Sequence, residues 1–351
     1  MSMLFTNNQS RQEVGQETQQ VITETLMPLV ILFGIIGNIM VIVLLSKTIK
    51  RRLPSHTFLV VLAIVDIGFL LTLLSVWLNT VIGWSFPADN IFGCKIFTFL
   101  SHMTDCASVW LIVLISTERA IVLFFPVQRR RFCTTPMARR SSLICIVMAS
   151  VMCVWLLIFA TPQPGMGCAI DVNNSLIVTV YEYFSIADTF VSCFIPSGVI
   201  LVLNICIVRQ LKQYYNRSVS VGLSAAFECA SAPNRYFLTV RNNKMIRRSE
   251  QQLTVSLMIV TSIYIVMNFP TYLMRVISSF GVEETRNSRN WWVIAAYVLY
   301  NAHHSINFYL YTFFGPGMRQ NFWKICKRVF LGCITCECLD YCFCGTQFET
   351  Y

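Results

Sequence analysis

Ionisable residues set inside apolar sequence mark where this chain could do chemistry. Glu118 and Arg119 are adjacent in Ser116-Thr117-Glu118-Arg119-Ala120, and Pro126 follows seven residues after the arginine. A carboxylate beside a permanently charged guanidinium can neutralise it locally. It can also exchange it for another partner, which makes the pair a candidate two-state switch. Asp105 precedes Arg119 in the same apolar run, Asp66 and Asp188 lie within two others, and Arg275 lies near the end of a further one. No glycine-rich phosphate loop, nucleophile elbow or other catalytic constellation appears, so no enzymatic activity is expected.

The elements that position these residues follow from composition. Hydrophobic residues make up 55% of 351 positions and charged ones only 13%, about half the charge of a soluble protein. Seven blocks, about 26–46, 57–81, 94–125, 141–162, 181–210, 251–278 and 291–314, meet the ~20 apolar residues that a membrane helix needs. The expected fold is therefore all-α and integral to the membrane, a seven-transmembrane helix bundle. No signal peptide is apparent, so the first helix is expected to direct insertion. The stretch Phe322, Trp323, Ile325, Val329 and Phe330 against Arg319, Lys324, Lys327 and Arg328 predicts a short amphipathic eighth helix on the inner membrane surface. The expected organisation is an extracellular tail (1–25), the bundle (26–314), the surface helix (315–331) and a cytoplasmic Cys-rich tail (332–351).

The net charge of +10 does not point to nucleic acid, because the basic residues follow alternate loops. Lys47, Lys50, Arg51, Arg52, then Arg129, Arg130, Arg131, Arg139, Arg140, then the long connector after the fifth block carry most of them. The positive-inside rule places the N-terminus outside and the C-terminus in the cytoplasm of a multi-pass plasma-membrane protein. Asn8 and Asn173 head glycosylation sequons on the expected outer face. Of fifteen cysteines, Cys94 and Cys168 alone fall in or beside outer loops, and they are the expected disulfide. Cysteines in and beyond the surface helix suit palmitoylation, at Cys326, Cys333 or a neighbour, better than zinc. The polar connector 212–247 is expected to be flexible or to extend the fifth and sixth helices.

Landmarks occur in order along the chain: Asn38, Asp66, Cys94, Glu118-Arg119, Pro126, Trp155, Cys168, Pro196, Pro270 and Asn307-Phe308-Tyr309-Leu310-Tyr311. Over residues ~26–330 the chain resembles a rhodopsin-like (class A) G-protein-coupled receptor. Ala107-Ser108-Val109-Trp110-Leu111, Asn268-Phe269-Pro270 and Ser305-Ile306-Asn307-Phe308-Tyr309 look like invertebrate neuropeptide receptors of the FMRFamide-receptor kind. Ala120 and Asn204 depart from the family, which usually has tyrosine at both places, and they bear on the strength of G-protein activation.

The resemblance implies a mechanism. Arg119 pairs with Glu118 at rest, with Glu250 as a second candidate partner. Helix six moves outward about Pro270, beside Asn268, and opens a cleft for a heterotrimeric G protein. Val127 packs on that protein and Tyr311 swings inward with Asn307. Arrestin, a receptor kinase and membrane lipid are further implied partners. Asp66 and Ser108, joined by Asn307, would hold an allosteric sodium ion, with a protonated Asp66 as the alternative; no other cofactor is expected.

Depth along the helices reads out a ligand pocket. Asp105 lies fourteen residues before Arg119, ~21 Å toward the outside. Ser101, Asp188, Glu182, Tyr272, Arg275, Tyr297 and Tyr300 complete an aromatic, mainly acidic cavity. An amidated peptide ending in Arg and Phe would suit it, its guanidinium meeting Asp188 or Asp105. In the alternative, Arg275 pairs internally with one of those acids. An amine receptor is disfavoured because the family's amine-binding position is Ser101, although Asp105 could substitute. A transporter is disfavoured because no internal repeat appears. His303 and His304, being adjacent on one helix, are expected to point to different faces and to serve packing or a hydrogen bond rather than a metal.

Overall fold

The computed structural model of the protein describes residues 2–47, 54–83, 90–163, 167–169, 175–228, 234–279 and 291–314, with positions 319, 320, 322, 323 and 327. The side chains of 2–23, 214–228, 234–250 and a few single positions are outside that description. Asn8, Asn173, Glu250, Cys326, Cys333 and the segment 332–351 therefore lie outside the described side chains or residues.

Helix α1 is Ser2–Lys47, α2 Pro54–Ile82, α3 Ile91–Phe124 and α4 Thr135–Cys153. Helix α5 runs through Ser175–Thr189, a π-helical turn at Phe190–Phe194, and Ile195–Glu228. Helix α6 is Asn234–Ser279 and α7 Trp291–Phe314. The expected polar tail is helical in its backbone, a continuation of α1 through Gln- and Glu-rich sequence of good helix propensity. The connector after the fifth block likewise extends α5 to Glu228 and begins α6 at Asn234.

Local chemistry explains the breaks. Gly83 takes a φ of 70° beyond the end of α2, a left-handed position that suits glycine. The Asn90 side chain caps α3 by accepting from the Phe92 N–H at 3.0 Å. Pro196 has no N–H to return to the carbonyl of Ser192, and the wide π turn lies across that position. Pro270 leaves the same gap inside α6. The fourth block departs from expectation. It breaks at Val154–Trp155, resumes as one turn at Leu156–Phe159, and Pro162 sits in strand β1 (Thr161–Gln163) rather than in the helix. Strand β1 pairs antiparallel with β2 (Gly167–Ala169), Pro162 opposite Cys168.

The helices close into a ring. Helix α1 packs on α2 and α7, α7 on α6, and α6 on α5, while α3 touches α2, α4, α5 and α6. The shared core includes Leu62, Leu111, Ile112, Ile115, Ile200, Leu257 and Phe308. Leu32, Ile64, Leu143, Val202 and Val266 face outward and exposed, an apolar surface that only lipid covers without cost. Among the described residues, six helices are long and apolar enough to cross a membrane. Helix α7 is not among them, because Asn301, His303, His304, Ser305 and Asn307 dilute it; those residues are buried in the bundle. Of the expected eighth helix, the few described positions are helical, and Phe322 meets the Phe308 ring edge-on at 5.8 Å.

Small residues set the closest approach of α1 and α7. A Cβ on Gly34 would fall 2.6 Å from Leu70 Cδ1 and clash with Ser305, whose hydroxyl donates to the Val30 carbonyl at 2.9 Å. Gly34→Val is expected to cost about 1–3 kcal/mol by overpacking, read as a lower melting temperature of the detergent-solubilised chain. An unchanged melting temperature would show that α1 shifts freely.

Candidate functional site

Polar side chains form three layers stacked through the bundle. At the inner end of α3, Arg119 Nη2 lies 2.7 Å from Glu118 Oε1, both side chains 5% exposed. Ser55, on the first turn of α2, bridges them: its hydroxyl accepts from Arg119 Nη2 and donates to Glu118 Oε2 at 2.6 Å. The charge of Arg119 is thus neutralised locally and held across to α2. Cys133, in the turn before α4, is pushed above the ordinary thiol range by burial and secondarily by the Glu118 carboxylate. It is a protonated thiol rather than a nucleophile. Val127, just beyond α3, is 85% exposed.

The middle layer centres on Asp66, fully buried. Ser108 Oγ donates to Oδ1 at 2.7 Å, and Asn307 Nδ2 donates to Oδ2 at 2.7 Å. His304 Nδ1 also donates to Oδ1 at 2.7 Å. The three residues of the expected sodium site therefore converge, with His304 added. The set as arranged does not fit a sodium ion: each Asp66 oxygen meets a nitrogen donor, whereas a hard cation needs oxygen ligands in those directions. Asn38 Nδ2 reaches the His304 carbonyl at 2.9 Å and fastens α1 to the same turn of α7.

The outer layer lies between α3, α6 and α7. Tyr272 Oη donates to Asp105 Oδ2 at 3.1 Å, and His304 Nε2 stands 3.4 Å from Asp105 Oδ1. The Tyr300 ring meets Tyr272, His303 and His304 edge-on. Farther out, Arg275 Nη1 pairs with Asp188 Oδ2 at 3.4 Å and its guanidinium lies 5.9 Å from the Tyr272 ring centroid. One wall of the bundle is thus a continuous polar path from Asp188 to Asp66. At the outer end the Cys94–Cys168 disulfide ties the β-hairpin to the top of α3.

The profile described as "7 transmembrane receptor (rhodopsin family)" matches residues 37–311, a span that contains α2 to α6 whole, the C-terminal part of α1 and all of α7 but its last three residues. The chain belongs to that family. The thyrotropin-releasing hormone receptor of Gallus gallus is 24% identical over 334 residues, covering 91% of this chain and 82% of that protein. Somatostatin receptor type 5 of Rattus norvegicus is 23% identical over 312 residues, 88% of this chain and 78% of that one. A Gq-coupled rhodopsin of Mizuhopecten yessoensis is 28% identical over 268 residues, 71% and 48% of the two chains. The protein is accordingly a multi-pass membrane receptor and not an enzyme.

The receptor does not gather every residue expected in the pocket. Glu182 is exposed, Tyr297 is 42% exposed and Ser101 is half-buried, and none joins the Asp105 cluster through a described side-chain hydrogen bond. The expectation that His303 and His304 diverge is overturned: their ring centroids lie 3.7 Å apart. Neighbours on a helix differ by about 100°, yet both flank one groove facing α3. His303 Nδ1 turns back to the Tyr300 carbonyl, and that folds its ring toward the groove.

The hydrogen bond expected of His304 is present, but its partner Asp66 was not foreseen, and neither was the part of Ser55. His304 was detectable, because it precedes Asn307 by one helical turn and an ionisable group in a membrane span is a functional signal by default. Ser55 carried no such signal. Where helix five usually carries a tyrosine, Asn204 Nδ2 instead donates to Thr261 Oγ1 at 3.0 Å, linking α5 to α6. Asn268 Nδ2 donates to the Tyr264 carbonyl at 2.9 Å within the turn before Pro270. Tyr311 is buried.

Proposed function

We propose that the receptor stands in the plasma membrane with its N-terminus outside, binds an extracellular amidated peptide ending in Arg and Phe, and activates a heterotrimeric G protein. The Asp188–Arg275 pair carries this reading. At 3.4 Å, with the Arg275 side chain 37% exposed and that of Asp188 11%, it is a loose ion pair whose arginine partly covers the carboxylate. A ligand guanidinium would make a bidentate bond to Asp188 and displace Arg275, and the ligand's aromatic ring would stack among Tyr272 and Tyr300. The names of the relatives support a hormone-like ligand, since two of those receptors are named for thyrotropin-releasing hormone and somatostatin. The short motifs that resemble FMRFamide-receptor-like proteins support the amidated class.

Activation follows from differential binding. Exchange of Arg275 for ligand at Asp188 releases the outer end of α6, which pivots at Pro270 and opens the inner cleft beside Arg119 and Val127. Asn307 and Tyr311 on α7 support the open form. Arrestin and a receptor kinase would bind the same open face, glycans at Asn8 and Asn173 would face outward, and acyl chains on Cys326 or Cys333 would anchor the tail in lipid.

The test is a calcium and cyclic-AMP assay on cells expressing the full chain, challenged with amidated peptides and monoamines. An RFamide-type peptide is expected to act potently. Asp188→Ala is expected to weaken it roughly 10- to 100-fold at equal surface expression, the worth of a lost charge-assisted bond of ~1.5–3 kcal/mol. A response to monoamines alone, lost in Asp105→Ala, would overturn the peptide reading.

A further inference from the structure

Asp105, His303 and His304 present lone pairs to one another. His303 Nδ1 faces the Tyr300 carbonyl and His304 Nδ1 faces the Asp66 carboxylate. A carbonyl and an ionised carboxylate can only accept, so against them both Nδ1 atoms carry hydrogen. When both imidazoles are neutral each has a single N–H, and each Nε2 is then left as an acceptor. Among the described residues neither Nε2 makes a well-formed hydrogen bond, and neither does Asp105 Oδ1, although His304 Nε2 and Asp105 Oδ1 approach to 3.4 Å; all three atoms are buried. One candidate ligand atom from each of the three residues lies within 4.8 Å of the others. Uncompensated acceptors converging in a bilayer interior are costly, and a cation among them removes that cost.

We propose that Asp105, His303 and His304 form a site for a divalent transition-metal ion, with Zn2+ the best match, joining α3 to α7 beneath the outer pocket. Two imidazoles and a carboxylate suit zinc, whereas calcium and magnesium take oxygen ligands. Metal–ligand bonds of ~2.0–2.2 Å place tetrahedral ligand atoms ~3.4 Å apart, and His304 Nε2 and Asp105 Oδ1 already stand 3.4 Å apart. The outer supports that zinc histidines require are present: an Nδ1–H on a carboxylate at Asp66 and one on a carbonyl at Tyr300. Three protein ligands leave a fourth position for water or for a donor atom of an extracellular ligand. A bound metal would clamp α3 and α7 and so bias the receptor between its conformations. The site stands whether or not the natural ligand is a peptide.

A single proton is the competing occupant. On His304 Nε2 it would satisfy Asp105 but leave His303 Nε2 bare.

The experiment uses the full chain in detergent, stripped with chelator, and no peptide. Co2+ is expected to produce the visible absorption of tetrahedral nitrogen–oxygen ligation, and Zn2+ to abolish it. Zn2+ at about 100 times its Kd is expected to raise Tm by roughly 2–4 °C. His303→Asn loses both signals. His303→Cys, which restores a metal ligand of another type, regains the Tm rise and shows thiolate-to-cobalt absorption. The tail cysteines remain in every variant, so Co2+ absorption and a Zn2+ shift that persist in His303→Asn would overturn the proposal. Asp105→Asn serves the same comparison if His303→Asn does not fold. No response to either metal, with Tm falling as pH rises through the histidine range, assigns a proton to the site and also overturns the proposal.

Discussion

Glu118→Gln is expected to raise agonist-free signalling about ten-fold at matched surface expression. Arg119 is almost fully buried, and its charge is met by Glu118 Oε1 at 2.7 Å. Ser55 adds a hydroxyl bridge between the two. Removing one partner of such a buried pair costs about 3–5 kcal/mol because the remaining charge is uncompensated. In the proposed open form Arg119 leaves Glu118, and that form would bear less of the cost. A difference of only ~1.4 kcal/mol between the two forms shifts their ratio ten-fold. Ser55→Ala should act in the same direction and more weakly, since it removes a bridge and leaves the ion pair. Second-messenger accumulation without agonist reads both. Basal signalling equal to the unmodified receptor's would show that this pair does not restrain α3.

Asp66→Ala should remove most folded receptor from the cell surface. Three donors from two helices end on its carboxylate: Ser108 Oγ on α3, and His304 Nδ1 and Asn307 Nδ2 on α7. Truncation leaves all three buried without an acceptor, at about 1–3 kcal/mol each. That sum approaches the whole stability of a typical fold, ~5–15 kcal/mol. Asp66→Asn keeps the shape and one acceptor oxygen, but sets an NH2 group against the donor of a neighbour. It is expected to reach the surface and to lose most agonist response, because the α2–α3–α7 junction can no longer rearrange around a charge. Surface labelling together with agonist dose–response separates the two variants. Normal expression and signalling by Asp66→Ala would mean that the three donors find other partners and that Asp66 is no hub.

The seven membrane blocks were legible in the sequence because spanning a bilayer demands a long apolar run whatever its neighbours are. The Cys94–Cys168 pair was legible because few cysteines fall beside outer loops. The Glu118–Arg119 contact needed only adjacency. The Asp66, Ser108 and Asn307 convergence was legible through the family's landmarks rather than through spacing. Tertiary structure decided the rest. Helical periodicity gives a residue's angle about its own axis and says nothing of where the next helix lies. That is why His303 and His304, expected on different faces, meet at Asp105: α3 stands opposite the edge they share. The same limit hid the choice of Arg275 for Asp188, the exposure of Tyr297 and the bridge from Ser55. Each depends on the placement of a second helix, and that placement is set by packing of the whole bundle.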